Sequence, residues 1–330
     1  MDASRKRADM GGEAMIPVQH TVDTPYMVGP VHWYTIDYGD EIVLFDTGPP
    51  TDAGRSYLRD QIDLDRLKHV LVTHCHIDHY GQSAWLEANS AARIYLPSRD
   101  IQKNERLDER LSTLFELIAA LGFKQDYMDQ LQKRFIQSVM SPHFPENYLV
   151  AEEDIPAYLG IEVLCCPGHS QSDLVYTGDG WAVTGDTLLR GVFQSPLLDV
   201  DLKRGDRFKN YQAYCSSIVR LAGLSSRQIL PGHRRHIDSV ERTILFYISK
   251  ALHRVSYLLP HIHQKTVADV IGHLFSSMTD PFHIYLKASE IVFMKDFLED
   301  SALLAEALKE IGLFEPVADL FYGVVESQER

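Results

Sequence analysis

The sequence lacks any uninterrupted apolar run approaching the roughly 18 residues of a membrane helix. Its first stretch, Met1 to Met15, carries Arg5, Lys6 and Arg7 with no apolar segment behind them. A membrane span and a secretory signal are therefore not expected, and residues 1–15 read as a flexible tail. Cysteine is scarce: Cys75, Cys165, Cys166 and Cys215 are the four in 330 residues, too few for a disulfide scaffold. Reduced thiols and a cytoplasmic location follow as expectations, with adjacent Cys165 and Cys166 on opposite faces of a strand. Cations are also outnumbered, 32 Lys and Arg against 46 Asp and Glu, a balance of −14 that repels a polyanion. Nucleic-acid binding is disfavoured from the start. What remains is an ordinary folded composition, 45% hydrophobic, long enough for two domains or one with an appendage.

Val31 to Asp46 reads as two apolar, aromatic-rich runs joined at Tyr38-Gly39-Asp40, the pattern of a β-hairpin. Helical periodicity at 53–64 and 82–88 alternates with strand signals at 69–73 and 93–96, which indicates an α/β domain. Residues 98–139 carry no strand signal and read as two or three inserted helices. Strand signals return at 159–165, 174–176, 181–184 and 228–230, with a helix at 208–221 between the last two. From 238 onward the periodicity is helical: a long helix closed by Pro260, then one capped near Thr266 or Lys265. The expected organisation is a tail at 1–15, a catalytic domain at 16–237 and a helical domain at 238–330.

The segment from Thr73 to Gly81, THCHIDHYG, places three imidazoles and a carboxylate within six residues, directly after an apolar strand. His74 and His76, two apart in an extended loop, can aim at one cation; Asp78 and His79 on the following turn can aim at a second. Further candidates stand in similar loops beside glycine: His169 after Pro167-Gly168, Asp186 after Gly185, and His233 after Pro231-Gly232. Glycine permits the sharp turn that brings a strand-end ligand to a shared centre. Cys75, between two candidates, is expected to point away and fill space.

An H-x-H-x-D-H cluster followed by three such loops resembles the metallo-β-lactamase fold superfamily over about residues 16–237. The resemblance implies a four-layered αββα sandwich with metals at one edge, between the sheets. It also implies roles: His74, His76 and His169 at the first site, Asp78, His79 and His233 at the second, and Asp186 bridging both. Asp46, in Asp46-Thr47-Gly48, matches a position that supports the metal loop from behind. The Asp186 position resembles the glyoxalase II, lactonase and ribonuclease branches rather than the true β-lactamases.

Two adjacent cations bring a bridging water's pKa toward neutrality and polarise a substrate oxygen, so hydrolysis is the expected chemistry, with Asp78 also orienting the hydroxide. Zinc is expected first, with iron or manganese as alternatives, since imidazole and carboxylate suit all three. The helices from 238 resemble a small winged-helix-like domain, with Phe314 to Tyr322 a poor match to its wing. Residues 238–330 hold 14 Asp and Glu against 8 Lys and Arg, the wrong sign for gripping phosphates, so this region is read as packing or as a homodimer contact. Its Ile291, Phe293, Met294 and Phe297 are apolar positions that either role would bury. Arg234, beside His233, and Tyr80, beside His79, are candidate substrate contacts. The expected substrate is an ester-like small molecule, a thioester or lactone. Hydrolysis of RNA or another phosphodiester, and a mononuclear iron enzyme of the persulfide dioxygenase type, are the alternatives.

Overall fold

The computed structural model describes residues 15–136, 143–262 and 266–328. The expectation of a tail falls outside them except at Met15, as do the last residues of the insertion and Lys265.

Val18–Val22 (β1), Val31–Asp37 (β2), Ile42–Phe45 (β3), Leu67–Leu71 (β4), Arg93–Leu96 (β5) and Leu149–Val150 (β6) form one sheet in that order. β1 to β3 pair antiparallel, with the expected hairpin turning at Gly39 (φ 86°), and β3 to β6 pair parallel. Glu162–Cys165 (β7), Leu174–Gly178 (β8) and Trp181–Gly185 (β9) follow. After a short ladder of Val200–Asp201 (β10) with Asp206–Arg207 (β11), Gln228–Pro231 (β12) completes a second sheet of order β12-β9-β8-β7.

Side-chain alternation makes the layers. On β3, Val43 and Phe45 meet Tyr176 and Trp181 of the second sheet, while Ile42 and Leu44 face outward onto Leu58 and Leu86 of the helices Asp52–Gln61 and Ser83–Asn89. On β8 and β9, Leu174, Tyr176, Trp181 and Val183 face the first sheet, while Val175 and Ala182 face the helices Asn210–Ala222 and Val240–Ile262. The result is the expected αββα sandwich. Cys165 is exposed and Cys166 buried, as neighbouring strand positions require.

The insertion forms three helices, Ser98–Glu105, Leu107–Ala120 and Gln125–Ile136. Leu114, Ile118 and Leu131 of its second and third helices share one continuous core with the C-terminal helices and the outer face of the second sheet, while Ile101 of its first helix joins the cluster on the first sheet. Insertion and C-terminus also join directly: Ala268 donates to the Leu121 carbonyl, Tyr127 Oη to the Pro281 carbonyl, and Arg134 pairs with Asp280. The C-terminal helices thus pack as a continuation of the sandwich's fourth layer.

Two expectations are corrected at this end of the chain. The long helix Val240–Ile262 runs through Pro260, which sits in its last turn and so gives up a single backbone bond. The wing has no counterpart, because among the described residues no strand follows β12. Phe314, Val317, Phe321 and Val324, buried and spaced three or four apart, form a helical face instead, in Glu315–Val317 and Ala318–Gln328. Thr266 caps Val267–Leu274 in a reciprocal box with Asp269, as its position suggested. Ile291, Phe293, Met294 and Phe297 are buried within the chain. Among the described residues, no helix is long and apolar enough to cross a membrane.

Candidate metal centre

β7, β9 and β12 run in one direction, and so do β3 and β4, so loops leaving their carboxyl ends collect at the same edge of the two sheets. Asp46 follows β3, the 74–79 loop follows β4, His169 follows β7, Asp186 follows β9 and His233 follows β12. A bond from Leu174 N–H to the Thr73 carbonyl (2.9 Å) ties the sheets together beside this edge, and His32 N–H to the Gly232 carbonyl (2.7 Å) ties β2 to the last loop.

Ligand-type atoms converge there. His74 Nε2 lies 2.8 Å from His76 Nδ1, which lies 3.1 Å from His169 Nε2. His233 Nε2 lies 3.2 Å from Asp78 Oδ2, and Asp78, His79 and His233 form a second compact group. Asp186 stands between the groups: Oδ1 is 3.5 Å from His79 Nε2 and 3.6 Å from His233 Nε2, and Oδ2 is 3.9 Å from His169 Nε2. All seven side chains named from the sequence meet in one place.

The outward-facing nitrogens fix the rings. His79 Nδ1 bonds Asp46 Oδ2 (2.8 Å), His169 Nδ1 the Ser195 carbonyl (2.8 Å), and His233 Nδ1 the Pro30 carbonyl (2.8 Å). Asp46, held at φ 61°, also accepts the N–H and hydroxyl of Thr73 (2.7 and 2.9 Å), and that hydroxyl lies 3.1 Å from His74 Nδ1. One carboxylate therefore orients a histidine of each group, turning the opposite nitrogens toward the centre. Thr73, Ser195 and Pro30 act through groups that no motif marks; only Thr73's place before His74 offered a hint.

Burial and the neighbouring rings push His74 well below its ordinary pKa, and His76 to about 3. Both are neutral rings with lone pairs available. Burial opposes charge at Asp186 and Asp78, yet His233 and His79 hold Asp186 well below the carboxylate range, and His233 and His79 lower Asp78. Against burial, Asp186 raises His233, and Asp186 and Asp46 raise His79 well above the usual value. Deeply buried His79 Nε2, His233 Nε2 and Asp186 Oδ1 have no hydrogen-bond partner. Anionic oxygens, neutral imidazoles and three orphaned inward atoms suit divalent cations, which would displace the protons from His79 and His233.

The glycines matter through closeness. A methyl on Gly232 would stand 2.6 Å from His79 Cε1 and 2.8 Å from Asp186 Oδ1. Gly232→Ala is therefore expected to spread these two side chains and lower cation occupancy, measured as metal per chain, while Gly323→Ala, with open space around it, leaves occupancy unchanged.

The remaining sequence candidates separate. Arg234 is exposed beside the centre, at φ 70°, with its carbonyl 2.7 Å from His32 Nε2. Tyr80 is 8% exposed, and its ring stands 5.9 Å from that of Phe144 in the cluster that contains both. Cys75 borders the same cluster, and burial raises its thiol well above the usual pKa, consistent with filler. Missed altogether were Asp100 and Lys103 of the insertion, which reach this centre from behind.

A family model described as the metallo-beta-lactamase superfamily matches residues 26–233, about 63% of the chain. The chain belongs to that superfamily. Superfamily members are mostly metal-dependent hydrolases that bind divalent metals. Among solved structures it resembles a metallo-beta-lactamase family protein from Thermus thermophilus, 22% identical, with a TM-score of 0.68 over 87% of this chain and 94% of that one. It likewise resembles a beta-lactamase domain protein from Burkholderia ambifaria, 18% identical, with a TM-score of 0.69 over 91% of this chain and 95% of that one. These spans exceed the family model's, so the shared architecture extends beyond the superfamily core. No curated protein matches the sequence.

Proposed function

We propose that this superfamily member is a dinuclear metal hydrolase acting on an ester-like small molecule, a thioester or lactone. The observation that carries this reading is two ligand groups, His74, His76, His169 and Asp78, His79, His233, linked by a third, His74, His79, Asp186, that sets Asp186 between them. Zinc is the first choice of cation and iron or manganese the alternatives, given imidazole and carboxylate donors. When bound, such a pair supplies a hydroxide at neutral pH and polarises the substrate's oxygen.

The protein's own residues do the rest. Asp46 fixes the faces of His74 and His79 through Thr73 and directly. Asp78 places an anionic oxygen at the centre where an attacking water's proton can be received. Arg234 is the exposed cation nearest in sequence to a ligand and is offered to an anionic part of the substrate.

Ester rather than phosphodiester chemistry is favoured by what happens to the cations near the ligand loops. Lys103 and Arg110 are paired to Asp100 and Asp199, and Arg207 to Asp296 at 2.6 Å. These three are engaged within the fold and not offered to a phosphate backbone, although Lys203, Lys209, Arg234 and Arg235 are exposed. The test is turnover of a panel of thioesters, lactones, bis-p-nitrophenyl phosphate and oligonucleotides. Turnover of a thioester or lactone is expected; phosphodiester turnover alone, or oxygen uptake with a persulfide, would contradict the reading.

A further inference from the structure

We infer that Asp100 is a positioning residue for the His74, His76, His169 group, and that through it the helical insertion determines whether the chain holds one cation or two. This rests on the dinuclear reading above and adds to it a dependence of one cation on a residue outside the ligand motifs.

Asp100 is 4% exposed, and its two oxygens are divided between the two loops that carry this group. Oδ2 accepts the backbone N–H of Cys75 at 2.7 Å, between His74 and His76. Oδ1 accepts the hydroxyl of Ser172 at 2.6 Å, three residues beyond His169. Lys103, one turn further along Ser98–Glu105, pairs with Asp100 Oδ1 and donates to Ser172 Oγ at 3.0 Å. Its ammonium is also 3.8 Å from Asp199, which takes Arg110 in a two-point pair (2.7 and 3.1 Å) and the Gln171 amide at 3.1 Å. Two carboxylates and two cations, largely removed from water, thus join the first two insertion helices to both ligand loops.

The other group has different supports. His79 is oriented by Asp46 and His233 by the Pro30 carbonyl, neither of which belongs to the insertion. His74 and His169 also have side-chain partners, Thr73 and the Ser195 carbonyl. His76 differs: among the described residues its hydrogen bonds are those of Nδ1 to the two other histidines, and no partner holds its far nitrogen. Its direction therefore depends on the backbone, and the Asp100 bond fixes that backbone one residue earlier. A buried N–H deprived of its acceptor would recover one by moving, and His76 would move with it. The effect is expected on one cation, because one group leans on Asp100.

The test uses the full-length chain, dialysed against buffered free Zn²⁺ and assayed by plasma mass spectrometry across a range of zinc activity. The wild type is expected to hold two cations. Asp100→Ala, which leaves the Cys75 N–H without its acceptor, is expected to hold one, with the affinity of the lost cation lower by about 10- to 100-fold and that of the retained cation unchanged. Should Asp100→Ala not fold, Ser172→Ala keeps the Cys75 bond and the Lys103 pair while removing one donor to Asp100. It is expected to weaken the same cation selectively, by less. Melting of the metal-free proteins separates the alternatives. A lower melting temperature with both cations bound at wild-type affinity, or equal weakening of both, overturns the inference. A wild type that binds fewer than two cations contradicts the dinuclear reading, and this inference falls with it.

Discussion

Replacing Asp186 by alanine is expected to reduce cation binding at both groups and to lower hydrolysis by at least about a hundredfold, since loss of a residue merely supporting a metal ligand already costs roughly 10- to 100-fold. Asp186 brings Oδ1 within 3.6 Å of both His79 and His233, and Oδ2 within 3.9 Å of His169, so its charge serves two groups at once. Without it, both groups lose the carboxylate that stands between their nitrogens, and the positive charge of bound cations would go less well neutralised. Metal per chain and substrate turnover measured on one preparation check this. Full retention of both would remove Asp186 from the bridging role.

The second large effect is on stability. Asp199 is 6% exposed and takes both the two-point pair of Arg110 and the Gln171 amide, besides its own chain's Val200 N–H. Asp199→Ala strands Arg110 and a half of Lys103's surroundings, and breaking such a buried pair costs about 3–5 kcal/mol. A fall in melting temperature of roughly ten degrees follows. The pair also has a pH signature. Burial opposes ionisation, but Arg110 and Lys103 hold the Asp199 carboxyl below its ordinary value. Its contribution is complete above the unfolded carboxylate's pKa near 3.9 and is lost as pH falls through the lower folded value. The stability difference between wild type and Asp199→Ala should therefore be flat above about pH 5 and shrink below about pH 4. A difference that instead grows on acidification would contradict the assignment.

What the sequence made legible was whatever has a local pattern. The hairpin at Gly39, the alternation that separates Val43 and Phe45 from Ile42 and Leu44, and the cap at Thr266 are set by neighbours a few residues apart. The seven candidate ligands were legible because glycine-flanked histidines and aspartates at strand ends are costly unless they serve a centre. Tyr80's surroundings were not legible, because adjacency to His79 does not fix which way a ring turns on a short helical turn; it turns toward Phe144. Asp100 stayed hidden because nothing nearby marks an aspartate in an amphipathic helix, and its partners Cys75 and Ser172 lie 25 and 72 residues away. That the segment after Leu313 is helical was in fact readable, from the spacing of Phe314, Val317, Phe321 and Val324.

The measurement that bears most directly on the whole account is metal content per chain, by plasma mass spectrometry, on protein purified without added metal. Two divalent cations per chain are predicted, falling toward none when the seven side chains are protonated at low pH. One cation at saturation, with iron as the ion and no ester turnover, would contradict a dinuclear hydrolase.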